Sequence, residues 1–588
     1  MFDLYLRPIR DQLPLWLMLV PLLGLATVWL GRRFGERAGR QTLFVNGMIS
    51  VLLCVWLVAA YEPEKRVINR EYAALLGPVD RFQFRSSFRW VGESRVETVE
   101  RALPNGGLTN TTFPVRWGPD IRWEVGVDGI SLWFTALSLL LLVVAMCVAS
   151  HSESPLPACA WLWLEASLIG TFLALDVVLF AICWMNTLLA VTWLLGHHGN
   201  SQRHEAAPRL LKATAMGSWL VTIGLCGLVL AFGWLRQTPD RPHPPLIFSM
   251  PELIAGIGHW TVAGDNLYLW AHVSPWLFWL LVLGFTGPML LAPFHRVFVT
   301  AVSSAPPAVA VVLVGVLIKV GLYGWLRFVI PVFPDLLRQH GDFLATLVGL
   351  SSLLAAVLAF GQTDWPRRVA LATTCSVGLS LLSVMTSTLE GLVGGMLRML
   401  SHGLTAALLL WLLPRPVVTT SNIANLPRSD AERVHDKRCR AVFRLALFAW
   451  IGLPGLSGFV AEFVSPLGLM QHEFNLALLS LTASGLIAWM WVRADREEPT
   501  WSLTPWSLRD WSVVVTLVGL NIALGVAPQF VVSRMQPSLL ALMPLERPEA
   551  TSRVDRSNAI MVEAASPRSD LSGDFRSVNL QSEKARRK

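Results

Sequence analysis

Three residues in this chain carry titratable groups in places where such groups are rare. Lys319 lies in AVVLVGVLIKVGLYGWLR, with apolar residues for two turns on either side. A lysine inside a membrane span costs several kcal/mol, so it is rare there and tends to be functional. The plainer alternative is a lysine near a helix end that snorkels its ammonium to the interface. His402 lies in MLRMLSHGLTAALLL. Histidine titrates near physiological pH and suits a proton relay, although a packed, hydrogen-bonded ring is the ordinary alternative. Glu462 lies in GLPGLSGFVAEFVSP, just after Pro454, Gly455 and Gly458. Those residues break a helix, and broken helices are tolerated in membranes where the freed backbone faces protein or a wet cavity. A carboxylate beside such a break can exchange protons; its alternative is a glutamate at a membrane end facing water. An amine, an imidazole and a carboxylate on separate helices are the parts of a lateral proton path. Their spacing alone does not bring them into contact.

The other charged residues near or within apolar runs read more plainly. Glu165 sits inside one, in WLWLEASLIG. Asp176 occupies a short junction between two runs, where capping a helix is as good a reading as transport. Asp128, in EVGVDGISLWF, starts a run and reads as a cap. Arg367 and Arg368, in QTDWPRR, read as interfacial anchors.

The elements that must position these residues are membrane helices. Of 588 residues, 53% are hydrophobic and 15% are charged, against about 25% charged in soluble domains. That balance excludes a single soluble core and implies a polytopic protein of the lipid bilayer. The 26 Trp suit two interfacial belts. The net charge of +8 does not point to nucleic acid, because the basic residues cluster in loops between apolar runs, where positive charge sets topology. The seven Cys stand singly, with no CxxC pair and no His/Cys cluster at metal spacing. There is no Gly-rich dinucleotide loop on a strand. No cofactor or metal is therefore expected in this chain. No strand-period alternation competes with the apolar runs, which excludes a membrane β-barrel.

Runs of about 20 apolar residues can span a bilayer, and about fourteen meet that length. They lie near Leu13–Leu30, Leu43–Tyr61, Ile130–Ala149, Trp161–Leu175, Val177–Leu195, Ala213–Phe232, Trp276–Leu291, Val309–Val329, Ala345–Phe360, Val369–Met385, Leu392–Leu413, Val442–Gly458, Leu476–Val492 and Val513–Val532. The fold class is an all-α polytopic membrane protein. Residues 1–127 hold two spans and a polar extramembrane segment, Glu62–Val127; residues 128–532 form the transmembrane core; residues 533–588 lack the apolar content for a core. The first run is followed by GRRFGERAGR without a small-residue cleavage site, so it reads as a retained helix. If the spans alternate, the loops RRFGERAGR, SQRHEAAPRLLK, DWPRR and RSDAERVHDKRCR share one face. Their charge makes that face cytoplasmic, puts both termini opposite, and places the chain in the inner (cytoplasmic) cell membrane.

Four strings occur in a telling order: EVGVDGISLWF, GVLIKVGLYGWLRF, MLSHGLTAALLL and GLPGLSGFVAEF, with support from TFLALDVVLF, AFGQTDWPRR, TLEGLVGGMLRMLSHG and ALGVAPQ. They resemble the proton-translocating antiporter-like subunits of respiratory complex I over about Asp128 to Gln529. Chain M (mitochondrial subunit 4) is the nearer branch, since nothing after Val532 looks like the long lateral helix of chain L. The resemblance implies fourteen helices with two inverted five-helix repeats, each containing a broken helix. It implies that Lys319 is the central lysine, His402 the histidine of the SHGL stretch and Glu462 the glutamate on the proton exit side. It also exposes departures. LDVVLFAICWM puts Met185, followed by Asn186, where the family usually has a glutamate. FTGPMLLAPFHRVFVTAV has Pro288 or a neighbour where a lysine is usual, and Ser376 stands for a histidine. The first half-channel thus lacks its Lys–Glu pair, and Glu165 is a candidate substitute for the lost acid. The implied function is that of a membrane-arm subunit of a complex I-like NADH:quinone oxidoreductase, with redox chemistry in partner subunits and other membrane-arm subunits as neighbours. The alternatives are a subunit of a cation/proton antiporter, a membrane-bound hydrogenase or an inorganic-carbon uptake complex, or a scaffold that moves no protons.

Overall fold

A computed structural model describes residues 10–30, 36–63, 82–102, 108–149, 158–235, 246–260, 267–413, 430–496 and 506–543. Apolar runs become helices because a helix satisfies all its backbone polar groups internally, as hydrocarbon requires. In chain order these are α1 (Leu13–Leu30), α2 (Glu36–Ala60), α3 (Gly129–Ala149), α4 (Ala158–Leu173), α5 (Val177–His198), α6 (Arg203–Leu235), α7 (Met250–Trp260), α8 (Leu267–Thr286), α9 (His295–Ser304) and α10 (Pro307–Gly315). After a 3₁₀ turn, Leu317–Lys319, come α11 (Val320–Gly324), a π-helical stretch at Trp325–Val329 and one more turn to Val332. Then follow α12 (Pro334–Phe360), α13 (Trp365–Met385), α14 (Leu389–Leu412), α15 (Asp430–Ile451), α16 (Ser457–His472), α17 (Phe474–Ala494), α18 (Leu508–Val526) and α19 (Gln529–Leu540). Among the described residues, eleven spans of at least 18 residues are long and apolar enough to cross a membrane, and Leu13–Trp29 and Ala158–Leu173 are shorter apolar helices. The helices run past the apolar windows at many ends; α6 starts ten residues before Ala213. Polar first turns at the interface extend a helix without adding to its apolar length.

Three features differ from the reading by apolar runs. The segment after α2 carries a long antiparallel hairpin, β1 (Gln83–Ala102) with β2 (Leu108–Val127). Its pairing slips between Gln83 and Glu93, so no clean period of two marks it in the sequence. The run near Val442–Gly458 is two elements, with α15 ending at Ile451 and α16 starting at Ser457. Gly452 and Gly455 between them have φ of +89° and +88°, a conformation that favours glycine. At the other end of the core, α19 continues to Leu540, across the boundary expected at 532. The polar stretch beyond Met543 lies outside the described residues.

One face of the bundle is tied by a polar seam. Asp176 caps α5, accepting from Val178 N at 2.8 Å and Leu179 N at 3.3 Å, and also accepts from Arg122 N on β2 at 3.1 Å. Asp128 caps α3 through Ser131 N at 2.8 Å, as its position implied. It also receives Arg327 from the π-helical stretch, with Nη1 to Oδ2 at 2.6 Å and Nη2 to Oδ1 at 2.5 Å. Arg327 Nε donates to the Tyr323 hydroxyl, which donates to the Phe172 carbonyl. The pair is buried, so this one fork pins the start of α3, the end of α4 and the far half of the broken helix together. On the opposite face, Asn200 N donates to Ser304 O at 2.9 Å, joining the α5–α6 turn to α9. There Arg368 donates to the Gln362 carbonyl and lies over the Trp365 ring, while Arg367 pairs with Asp364, as anchors do.

Removing one partner of a buried ion pair costs about 3–5 kcal/mol, because the other charge is left uncompensated. Asp128→Asn is therefore expected to lower the thermal midpoint of the detergent-solubilised chain sharply. Asp128→Leu with Arg327→Met recovers part of the loss. Equal midpoints for Asp128→Asn and wild type would remove the fork from its structural role.

Candidate functional site

The break in the α10–α11 helix decides where Lys319 points. Val316 has φ −129° and ψ −56°, outside the helical region, and so ends α10. The last carbonyls of a helix lack intrahelical donors. Lys319 supplies them: its Nζ donates to Val314 O at 3.1 Å and Gly315 O at 2.5 Å. The negative end of the helix dipole favours a cation at this place. The third contact of Nζ is His402 Nδ1, at 3.3 Å. An ammonium has three protons and no acceptor site, so these three partners use all of its capacity. Lys319 is 0% exposed, and the snorkelling alternative does not describe it.

His402 reaches Lys319 because α14 and α10 meet at glycines. A side-chain carbon on Gly403 would press on Leu137 of α3, and one on Gly315 on Leu141 of α3, while the two glycines themselves lie at ordinary contact distance. Small residues let membrane helices approach this closely. The imidazole is buried, with Trp450 of α15 edge-on at 4.8 Å between centroids. Its Nε2 lies 3.2 Å from Thr373 Oγ1 on α13, and that hydroxyl donates to Val369 O. While Lys319 is an ammonium, Nδ1 must accept, so the ring proton is assigned to Nε2 by the network.

Glu462 lies one turn into α16, against Gly452 of the second break. It does not touch Lys319. Its Oε1 accepts from Arg398 Nη1 at 2.6 Å, and the same nitrogen lies 3.4 Å from Ser484 Oγ on α17. Arg398 precedes His402 by four residues on α14, so both share a helix face. A small cleft joins them, lined by Ser376, Arg398, His402, Trp450 and Glu462, with room for about one water molecule. A further buried polar layer lies beside it: Ser457 Oγ and Thr405 Oγ1 donate to Asn521 Oδ1 at 2.6 and 3.0 Å, and Ser401 and Ser457 share a hydrogen bond.

Sequence reasoning found Lys319, His402 and Glu462 and missed Arg398, Arg327, Thr373 and Asn521. Arg398 and Arg327 carried the same signal, a charge among apolar residues. The hydroxyls and the amide carried none, because such groups are common in ordinary helices.

The first half of the chain is built differently. Met185 packs against the core, and Asn186 accepts from Trp163 Nε1 at 3.1 Å and donates to Ile182 O. Pro288 is buried in a 3₁₀ turn at Gly287–Met289. Glu165 is buried beside Ser50 of α2, and none of its described contacts is with Lys319.

A family model described as NADH:quinone oxidoreductase/Mrp antiporter, TM, matches residues 174–487. The chain belongs to this family. The NADH-quinone oxidoreductase subunit M of Rhodobacter capsulatus is 28% identical over 449 residues, 73% of this chain and 83% of that relative. The NAD(P)H-quinone oxidoreductase chain 4 2 of Thermosynechococcus vestitus is 30% identical over 382 residues, 63% of this chain and 67% of that one. A chain of respiratory complex I from Thermus thermophilus superimposes with a TM-score of 0.69 at 22% identity, covering 90% of this chain and 99% of its own length. A chain of the Mrp complex from Dietzia sp. gives 0.63 at 18% identity, covering 89% and 52%. The antiporter-like fold expected from the four strings is thus present.

Leaving a buried hydroxyl without its acceptor costs about 1–3 kcal/mol, and Ser457 loses its acceptor with Asn521 while Thr405 keeps the Ser401 carbonyl at 2.8 Å. Asn521→Leu, which removes the acceptor shared by Ser457 and Thr405, is expected to destabilise the chain by that much, read from its thermal midpoint. A midpoint equal to wild type would show that the polar layer is not coupled through Asn521.

Proposed function

We propose that this chain is a membrane-arm subunit of a complex I-like NADH:quinone oxidoreductase and passes protons through Lys319, His402 and Glu462. The contact between Lys319 Nζ and His402 Nδ1 carries the reading. A proton moves when an N–H bond of the ammonium breaks and an N–H bond at Nδ1 forms, leaving a neutral amine and an imidazolium. The amine then keeps two protons for the Val314 and Gly315 carbonyls, so the helix break stays satisfied in both states. The imidazolium then gives up its Nε2 proton, leaving a neutral ring that carries its proton on Nδ1, and Glu462, which lines the same cleft as His402, is the acceptor. NADH oxidation and quinone reduction belong to partner subunits, and sister antiporter-like subunits are the neighbours in the inner (cytoplasmic) membrane.

Met185 and the absent lysine near Pro288 favour a second reading, a scaffold that moves no protons. Against it, a membrane charge without a use is a cost to stability. A place in a cation/proton antiporter, a membrane-bound hydrogenase or an inorganic-carbon uptake complex is separated by the genes beside this one: a quinone-site subunit and iron–sulfur subunits mark the oxidoreductase.

Proton pumping per electron in vesicles holding the complete complex tests the relay. Lys319→Ala and Glu462→Ala are each expected to remove most of the pumping. An unchanged ratio in both variants leaves the scaffold.

A further inference from the structure

The carboxylate that ends the relay is already engaged. Arg398 is 3% exposed, and its Nη1 sits 2.6 Å from Glu462 Oε1. A guanidinium keeps its proton at any physiological pH. Arg398 and an incoming proton therefore compete for the same carboxylate.

The contact is end-on. Only Nη1 reaches the carboxylate, whereas the strong arrangement of this pair is a two-pronged fork. The other guanidinium nitrogens, Nε and Nη2, are buried and have no hydrogen-bond partner among the described residues. A buried donor without an acceptor is a cost to the folded state. The guanidinium is thus held to Glu462 at one corner, with Ser484 Oγ at 3.4 Å as a neighbouring foothold. The charged and titratable groups around Glu462 are Arg398 and His402 on α14, with Cys375 on α13 behind them. Ser484 faces it from α17, and Gly452 from the turn before α16.

His402 lies one helical turn from Arg398 on the same face of α14. While His402 is neutral, the other cation nearby is Lys319, which touches the imidazole from the broken helix and not from α14. When His402 takes a proton from Lys319, two positive charges stand at positions i and i+4, a repulsive pair. In a water-poor interior that repulsion is stronger than at a surface.

We propose that Arg398 is a positioning residue that gates the relay: it occupies Glu462 until protonation of His402 drives it off, and only then does Glu462 accept the proton. The proposal rests on the relay reading above. In the transfer, an N–H bond of the imidazolium breaks and an O–H bond forms on Glu462, through a water in the cleft. Arg398 keeps all its protons and moves as a charge only. Backward flow is opposed because Arg398 returns to Glu462 once His402 is neutral again and the carboxylate has released its proton.

The test is a pH titration by infrared spectroscopy of the full chain in lipid vesicles. Glu462→Gln identifies the carboxyl band of Glu462 by its loss. Arg398→Gln is expected to let that carboxyl take up its proton at a proton concentration at least ten-fold lower than in wild type. Arg398→Lys, which keeps a cation but loses the guanidinium corner that reaches Glu462, is expected to shift it in the same direction by less, and serves if Arg398→Gln does not fold. A carboxyl band that titrates as in wild type in a folded Arg398 variant overturns the gate. Unchanged pumping in Lys319→Ala would overturn the relay without altering this titration, so the two readings fail separately.

Discussion

The buried ammonium of Lys319 is the interaction on which the rest of the site depends. A helix that stops inside the membrane leaves carbonyl groups that neither water nor lipid can satisfy. Lys319 satisfies two of them and spends its third proton on His402. The break would be costly without the lysine, and the lysine would be costly without the break. Each makes the other tolerable, and their union places one proton of a membrane-buried cation against a titratable ring.

The surroundings serve that contact. Gly315 and Gly403, side by side on the two helices, leave room for Leu141 and Leu137 of α3 next to the contact of amine and imidazole. Trp450 and Thr373 hold the ring from two further helices. Some distance along the same broken helix, Arg327 and Asp128 clamp its far half to α3, so the break does not become a hinge. The ion pair of the fork is thus kept apart from the contact of Lys319 with His402.

Buried polar and titratable side chains are unevenly spread along the chain. The second half holds an imidazole, a guanidinium and a carboxylate around one small cleft, with the Lys319 amine and its helix break against the imidazole. In the first half Met185 fills its site with apolar bulk, Asn186 has turned to Trp163, and Pro288 shapes a turn. Glu165 keeps a carboxyl in that half, but against α2 and away from Lys319.

The amino-acid order by itself determined the class of the fold and the location of nearly every span, because hydrocarbon accepts few structures other than apolar helices of sufficient length. It also singled out Lys319, His402 and Glu462, because a titratable group among apolar neighbours is conspicuous at any level of description. It did not reveal the hairpin at 83–127, where slipped pairing blurs the alternation. Nor did it reveal which charges meet. Asp128 reads as a cap and is one, yet its larger role is to receive Arg327 from 199 residues away. Glu462 reads as a free acid and is held by Arg398, 64 residues earlier. Only the tertiary structure decided those pairs, since they depend on how helices pack side by side, and packing is set by small residues and shape along whole helix faces and not by local composition.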